Sequence, residues 1–270
     1  MKIIFPELNA NPIAKEAAQH FPDLEFIPAD SLNHATEILS QGNADSMISG
    51  LDYSSRDVLL AYKNHLPLKS KYFSSCFICE RNTPNNTQHL ALADGGVNKL
   101  PTAEQLYAIV EDTATTFQIY YNEQPKIAML SYSTYGSGGK NPDLAKIHQV
   151  IDQIRQAHPD WLIDGEMQLD AAINPAVATK KTPESPLQGS ANILITPDLN
   201  SGNILYKSLE QFSGFTIAGP IIQGFQIPLA DLSRGSTAED IILTLSVILK
   251  LCSEESVREH NLNITERSLL

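Results

Sequence analysis

Short apolar runs alternate with helical patterns along this 270-residue chain, and that alternation restricts the fold more than any other feature. Lys2-Ile3-Ile4-Phe5 reads as a strand and Ile13 to His20 as a helix. Ser46 to Gly50 reads as a buried strand ending in a turn, and Tyr72 to Cys79 is β-rich. Thr102 to Phe117 carries Leu106, Ile109, Val110 and Thr113 on one helical stripe. Lys126 to Ser131 is a strand, and Pro142 to His158 is a helix with Leu144, Ile147, Ile151 and Ile154 on its apolar face. Trp161 to Ile163, Asn192 to Ile195 and Phe215 to Ile217 are further strands. Strands buried on both faces read as continuous apolar runs, as these do. The β-α-β-α order therefore predicts an α/β fold of mostly parallel sheets flanked by helices.

Composition narrows the partners. Hydrophobic residues are 42% and charged residues 19%, which excludes disordered and coiled-coil chains. At about 150 residues per domain the length fits one large or two small domains. Lys and Arg number 19 against 31 Asp and Glu, a net charge of −12 with no basic cluster, so no nucleic-acid partner is expected. Anionic substrates must then be held by a few local cations and backbone N–H groups. Three cysteines make no disulfide framework. Phe5-Pro6-Glu7 arrives too early for a signal peptide, and the longest apolar stretch, Ile241 to Leu251, contains Lys250 and is too short for a membrane span. A cytoplasmic protein without membrane contact is expected.

Ligands in parallel α/β sheets bind beyond the carboxyl ends of strands, so the loops after strands are the places to search. Ser131 to Lys140 joins a strand to a helix and holds several hydroxyls, among them Ser131, Ser133 and Thr134. With the helix amino end it can bind an anion, or it can be a flexible connection. It is not a P-loop, which needs Gly at 134, nor a dinucleotide fingerprint, which needs Gly at 141. Thr196 to Asn203, with Asn200, is either a tight turn or a ligand contact. Gly219-Pro220-Ile221-Ile222-Gln223-Gly224 is either a crossover or a binding loop around Gln223. In Asp231 to Asp240, Ser236-x-x-Glu239 reads as a capping box starting a helix at about Thr237. Ser233 and Arg234 precede that helix and Asp240 lies one turn inside it. A hydroxyl, a guanidinium and a carboxylate then meet at a helix start, although a turn hydroxyl and a first-turn acid would look the same.

Other candidates read as structural. Cys76 and Cys79 have CxxC spacing in a β-rich run without a second pair, which favours buried strand cysteines over a metal or redox site. Asp164, Glu166 and Asp170 read as solvated turn and cap residues. His148 is expected on the solvent side of its helix.

Five ordered segments resemble the phosphate acetyltransferase family: Ala128-Met129-Leu130-Ser131-Tyr132-Ser133-Thr134, Asp164 to Ala172, Pro197 to Asn203, Gly219 to Gly224, and Asp231-Leu232-Ser233-Arg234-Gly235. The resemblance is dense from about Ala91 to Leu251. It implies an isocitrate/isopropylmalate dehydrogenase-like fold of two α/β domains. Residues 1–71 and 221–270 would form a discontinuous first domain and 72–220 the second, with the active-site cleft between them. It implies transfer of an acetyl group between acetyl phosphate and coenzyme A, with coenzyme A a substrate, no cofactor, no metal, and a homodimer.

Asp240 matches the family's proposed base for the coenzyme A thiol, and burial should raise its pKa toward that task. Ser233 matches the donor to the thiol or the oxyanion, and Arg234 the arginine on the acyl phosphate. Ser131, Ser133, Thr134, Asn200 and Gln223 are the remaining expected substrate contacts.

The chain departs from the family in its amino-terminal half, where it is shorter than typical members. Leu8 and Pro12 stand near the opening where Gly and Arg are usual, and Leu60 stands where an Arg is usual. Arg56, one helical turn before Leu60, is a candidate replacement on the same phosphate, or else a solvated residue paired with Asp52 or Asp57. Two alternatives stay open: the same chemistry on a longer acyl group such as butyryl, and a non-catalytic relative that binds coenzyme A or an acyl phosphate.

Overall fold

The structure is a computed structural model that describes residues 1–267, with side chains through Glu254. Contacts divide the chain into two units, Met1–Lys69 with Phe225–Leu270, and Ser70–Gly224.

The first unit opens with β1 (Lys2–Ile4), α1 (Pro12–Ala18), β2 (Glu25–Ile27), α2 (Leu32–Ser40), β3 (Ser46–Ser49) and α3 (Ser55–His65). Asn11, Ser31 and Ser54 cap the three helices with side-chain oxygens, which fixes where each starts.

The second unit follows with β4 (Ser74–Asn82), β5 (Thr87–Ala93), α4 (Ala103–Tyr121), β6 (Lys126–Leu130), α5 (Pro142–Ala157), β7 (Leu162–Met167), α6 (Leu169–Ile173), α7 (Pro175–Lys181), β8 (Ile193–Ile195), α8 (Leu199–Phe212) and β9 (Thr216–Gln223). Its strands run in the order β9-β4-β5-β8-β6-β7. The pairs β5/β8, β8/β6 and β6/β7 are parallel, while β4 is antiparallel to both β5 and β9. The antiparallel part is a hairpin that the sequence reading lacked. Thr83 Oγ1 donates to the Asn86 carbonyl at 2.6 Å and closes its turn. One core cluster of this unit joins Phe77, Leu92, Ala128, Leu130, Met167 and Leu194, with the Phe77 and Tyr206 rings stacked 4.0 Å apart.

The chain then returns to the first unit as β10 (Leu229–Asp231) and α9 (Ala238–Arg267). There the strand order is β2-β1-β3-β10, all parallel, with Ile3, Ile4, Met47, Ile48, Leu229 and Ala230 buried. α1 packs on α9 and α2 on α3. Both units are α/β as expected.

Three expected boundaries move. β7 runs to Met167, so Asp164 and Glu166 are strand residues. β9 runs to Gln223, so Gly219 to Gln223 is strand and not loop. Asp198 caps α8, its side chain accepting the Ser201 N–H at 2.9 Å, so Asn200 lies in a first helical turn.

Candidate active site

Asp231 ends β10 level with Ser49 of β3. The Leu232 N–H donates to the Ser49 carbonyl, and the chain then turns tightly. The Ser236 N–H donates to the Ser233 carbonyl at 2.9 Å, and the Gly235 N–H to Ser233 Oγ at 3.2 Å. Ser233 is half-buried at this turn and Arg234 is exposed. Because the Ser236 N–H closes the turn, the helix cap falls one residue later than expected. Thr237 Oγ1 accepts the Asp240 N–H at 3.2 Å, and Asp240 Oδ2 accepts the Thr237 N–H at 2.8 Å. The capping box is therefore Thr237-x-x-Asp240, which replaces Ser236-x-x-Glu239. Asp240 is buried, 5% exposed. One short connection thus carries Ser233, Arg234 and Asp240 to the amino end of a 30-residue helix, where the helix dipole favours negative charge.

The loop after β6 is organised differently from its sequence reading. Glu166 is fully buried, and its Oε1 accepts from Ser133 Oγ at 2.6 Å and from the Gly136 N–H at 2.7 Å, while Oε2 bonds His148 Nε2. Burial works to raise the Glu166 carboxyl, but the donors Ser133, Gly136 and His148 outweigh it and hold it below the usual carboxylate range. The loop does cradle an anion, but that anion is the chain's own Glu166. Each N–H from Ser133 to Gly139 is spent internally. Ser131 Oγ, Ser137 Oγ, the Glu166 carbonyl, Glu166 Oε1, the Thr134 carbonyl, Ser133 Oγ and the Gly136 carbonyl accept them in turn.

Two more residues of β7 and its end clamp the same loop. The Tyr135 hydroxyl donates to Asp164, which also takes Arg155 Nη2 at 2.9 Å, and Thr134 Oγ1 accepts the Gln168 N–H at 3.0 Å. Burial, followed by the Asp164 hydrogen bond, pushes the Tyr135 phenol up to about 12. The reading of Asp164 and Glu166 as solvated turn residues is overturned. His148 is exposed as expected, yet its ring turns inward to Glu166. Asp170 does lie at the surface, bonded to Lys181 at 2.7 Å.

The other expected contacts divide into spent and open ones. Gln223 is buried, and its Oε1 accepts from Ser74 Oγ at 3.1 Å and Thr113 Oγ1 at 3.2 Å, while its Nε2 donates to Thr116 at 3.0 Å. Ser133 and Thr134 are likewise turned inward. Ser131 is half-buried, and Asn200 and Arg56 are exposed. Arg56 makes no ion pair with Asp52 or Asp57; Asp57 instead accepts from Ser54 Oγ at 2.7 Å. Leu60 is 44% exposed and lines a groove of about 430 Å³ with Asn33, Tyr53 and Asn64. Among the described residues no group of three or more His, Cys, Asp or Glu side chains could hold a metal ion. The three cysteines are buried thiols, and burial pushes the Cys76 thiol up.

Sequence reasoning assigned Asp164 and Glu166 to solvated turns and gave Asp231 no role. The signal for the first two was present: Asp164, Glu166 and Gln168 recur at every second residue, the spacing of one strand face.

A family model described as Phosphate acetyl/butaryl transferase matches residues 15–249. The chain is 40% identical over 227 residues to a phosphate acetyltransferase of Treponema pallidum, covering 82% of this chain and 67% of that one. It is 38% identical over 230 residues to a phosphate acetyltransferase of Clostridium acetobutylicum, covering 83% and 68%. It thus spans about two thirds of the length of these two relatives. A solved phosphotransacetylase from Streptococcus pyogenes superposes with a TM-score of 0.82 at 30% identity, covering 94% of each chain. The matched region takes in both Ser131 to Thr134 and the turn that carries Ser233, Arg234 and Asp240, and the chain belongs to the phosphate acetyl/butaryl transferase family.

Proposed function

We propose that this chain transfers an acetyl group between acetyl phosphate and coenzyme A by direct thiol attack in a ternary complex. The observation that carries the reading is the set of Ser233, Arg234 and Asp240 at the start of α9, inside the family-matched region. A coenzyme A thiol with a pKa near 8.5 is only a few per cent ionised at neutral pH, so a base is needed. Asp240 takes the thiol proton as sulfur bonds to the acetyl carbonyl carbon. Ser233 donates to the oxyanion of the tetrahedral intermediate, a contact worth about 3 kcal/mol where such donors have been removed. Arg234 offers a fork of N–H donors to the phosphate. The carbon–oxygen bond to phosphate then breaks, giving the thioester and inorganic phosphate.

Ser131, Asn200 and Arg56 are assigned as substrate contacts, supported by their exposure. Ser133, Thr134 and Gln223 serve the site by shaping it, since their polar atoms are spent within the fold. The same reading makes the protein a cytoplasmic homodimer. No described helix is long and apolar enough to cross a membrane. The family description spans acetyl and butaryl groups, so a longer acyl chain is the second reading. Thioester formation from acetyl phosphate, set against butyryl phosphate, tests both: a kcat/KM for acetyl phosphate no higher than for butyryl phosphate reverses the preference.

A further inference from the structure

Two carboxylates lie beside the turn that carries Ser233 and Arg234, and the proposed steps use neither. Glu7, three residues past β1, is 3% exposed, and Asp231 at the end of β10 is 2% exposed. Glu7 Oε1 accepts from Ser49 Oγ at 3.0 Å and from the Gly50 N–H at 2.7 Å. Gly50 adopts a φ of +124°, and a Cβ placed there would meet the Leu232 carbonyl and stand 2.6 Å from Asp231 Oδ1 and 2.7 Å from the Leu232 nitrogen. The two carboxylates thus flank one glycine, Glu7 at its N–H and Asp231 where a side chain would be. Glu7 Oε2 and Asp231 Oδ1 are both buried without a protein hydrogen-bond partner.

The surroundings offer little to balance two charges. Burial raises the Asp231 carboxyl to about 6; a Ser55 hydrogen bond pulls it down and the Glu7 charge pushes it up again. From α3, the Tyr62 hydroxyl bonds the Ala230 carbonyl at 2.8 Å, and burial, then Asp231 and Glu7, raise its phenol. From the β3–α3 connection, Tyr53 is raised by burial and by the charges of Glu7 and Asp52. The charged groups acting here are therefore acids, and like-charged carboxylates in a dry site resist ionising together. The chain of contact to the proposed site is short. Glu7 holds Ser49 and Gly50, the Ser49 carbonyl takes the Leu232 N–H, and Ser233 is the next residue.

We infer that Glu7 is a positioning residue for the Ser233–Arg234 turn, and that Glu7 and Asp231 form one interacting carboxyl pair beside it. The link to catalysis rests on the proposed function; the pair itself does not. Glu7→Leu removes the acceptor for Ser49 and Gly50, whereas Glu7→Gln keeps an acceptor oxygen and removes the charge. Misplacement of reacting groups by 1 Å can cost about a hundredfold in rate. Acetyl transfer by Glu7→Leu should therefore lose about a hundredfold in kcat while both KM values hold, and Glu7→Gln should recover most of that loss.

In Glu7→Gln the Asp231 carboxyl, followed by carbon-13 NMR of aspartate-labelled protein and assigned with Asp231→Asn, should titrate at lower pH than in the parent. A folded Glu7→Leu with unchanged kcat overturns the positioning role, and an unmoved Asp231 titration in Glu7→Gln overturns the pair. If Glu7→Leu does not fold, Glu7→Asp, which keeps the charge but draws the acceptor back from Ser49 and Gly50, takes its place: an unchanged kcat there overturns the positioning role, and the Glu7→Gln titration still tests the pair. If the parent chain transfers no acetyl group, the proposed function fails while the titration still tests the pair.

Discussion

Asp240 and Thr237 hold each other: Asp240 Oδ2 accepts both the N–H and the hydroxyl of Thr237 at 2.8 Å, while Thr237 Oγ1 takes the Asp240 N–H. The residue proposed as base is therefore also the second half of the cap that starts α9. Removing the Thr237 hydroxyl should cost both stability and turnover. We expect Thr237→Val to lose about 1 kcal/mol of stability, the usual worth of such a cap. Its kcat should fall while KM holds, because the Asp240 carboxylate loses a partner that orients it. Thermal unfolding alongside steady-state kinetics checks this; a destabilised variant with full kcat would separate the cap from the chemistry.

Asp231 should make the protein less stable as pH rises. Its carboxyl stands at about 6 in the fold against an ordinary 3.8. Between those values the folded state holds a proton that the unfolded state has released. Stability is then greatest below about pH 4 as far as this group is concerned, and is lost as pH rises to about 6, by about 3 kcal/mol in total. Asp231→Asn should flatten that part of the profile, as read from denaturant unfolding at pH 4 and pH 7. An unchanged slope contradicts the assignment.

Glu166 should act in the opposite sense. Its carboxyl is held below the ordinary 4.5, so its contribution is present above that value and lost as pH falls. Glu166→Ala strands the buried Ser133 hydroxyl, at a cost of about 1–3 kcal/mol when left without an acceptor, while the exposed Gly136 N–H turns to water. We expect a lower melting temperature at pH 7 and a smaller difference from the parent in acid. Equal losses at both pH values would mean that the charge of Glu166 contributes nothing.

Arg56 is exposed on the first turn of α3 and makes no ion pair with its neighbouring acids. If it replaces the cation missing at Leu60, Arg56→Ala raises KM for a phosphate-bearing substrate several-fold and spares kcat. Unchanged KM values for both substrates return it to the solvated surface.

The strands that were continuous apolar runs, such as Ile3-Ile4 and Met47-Ile48, were legible because burial on both faces leaves no other reading. A helix start was legible where Asn141-Pro142 announces it. The β4/β5 hairpin was not, because Thr83 to Asn86 lacks a two-residue Asn-Gly or Asp-Gly turn and Thr87 to Ala93 mixes polar with apolar residues. In the candidate site, the grouping of Ser233, Arg234 and Asp240 followed from one loop and one helix start. The packing of Gln223 and Ser133 was not legible because a polar residue beside glycines looks the same whether it meets a ligand or Thr113 and Glu166. Only tertiary contacts separate those cases. Glu7 and Asp231 were invisible as a pair because 223 intervening residues separate them until β10 pairs with β3.

The most direct test of the central claim is the rate of thioester formation from acetyl phosphate and coenzyme A by the purified chain, with Ser233→Ala and Asp240→Asn assayed beside it. A general base contributes about 10²–10⁴-fold and an oxyanion donor about 10²–10³-fold. The parent should turn over, and both variants should lose kcat by that order with KM little changed. Turnover that survives Asp240→Asn would contradict the assignment of the base, and a folded parent chain that forms no thioester would contradict the function itself.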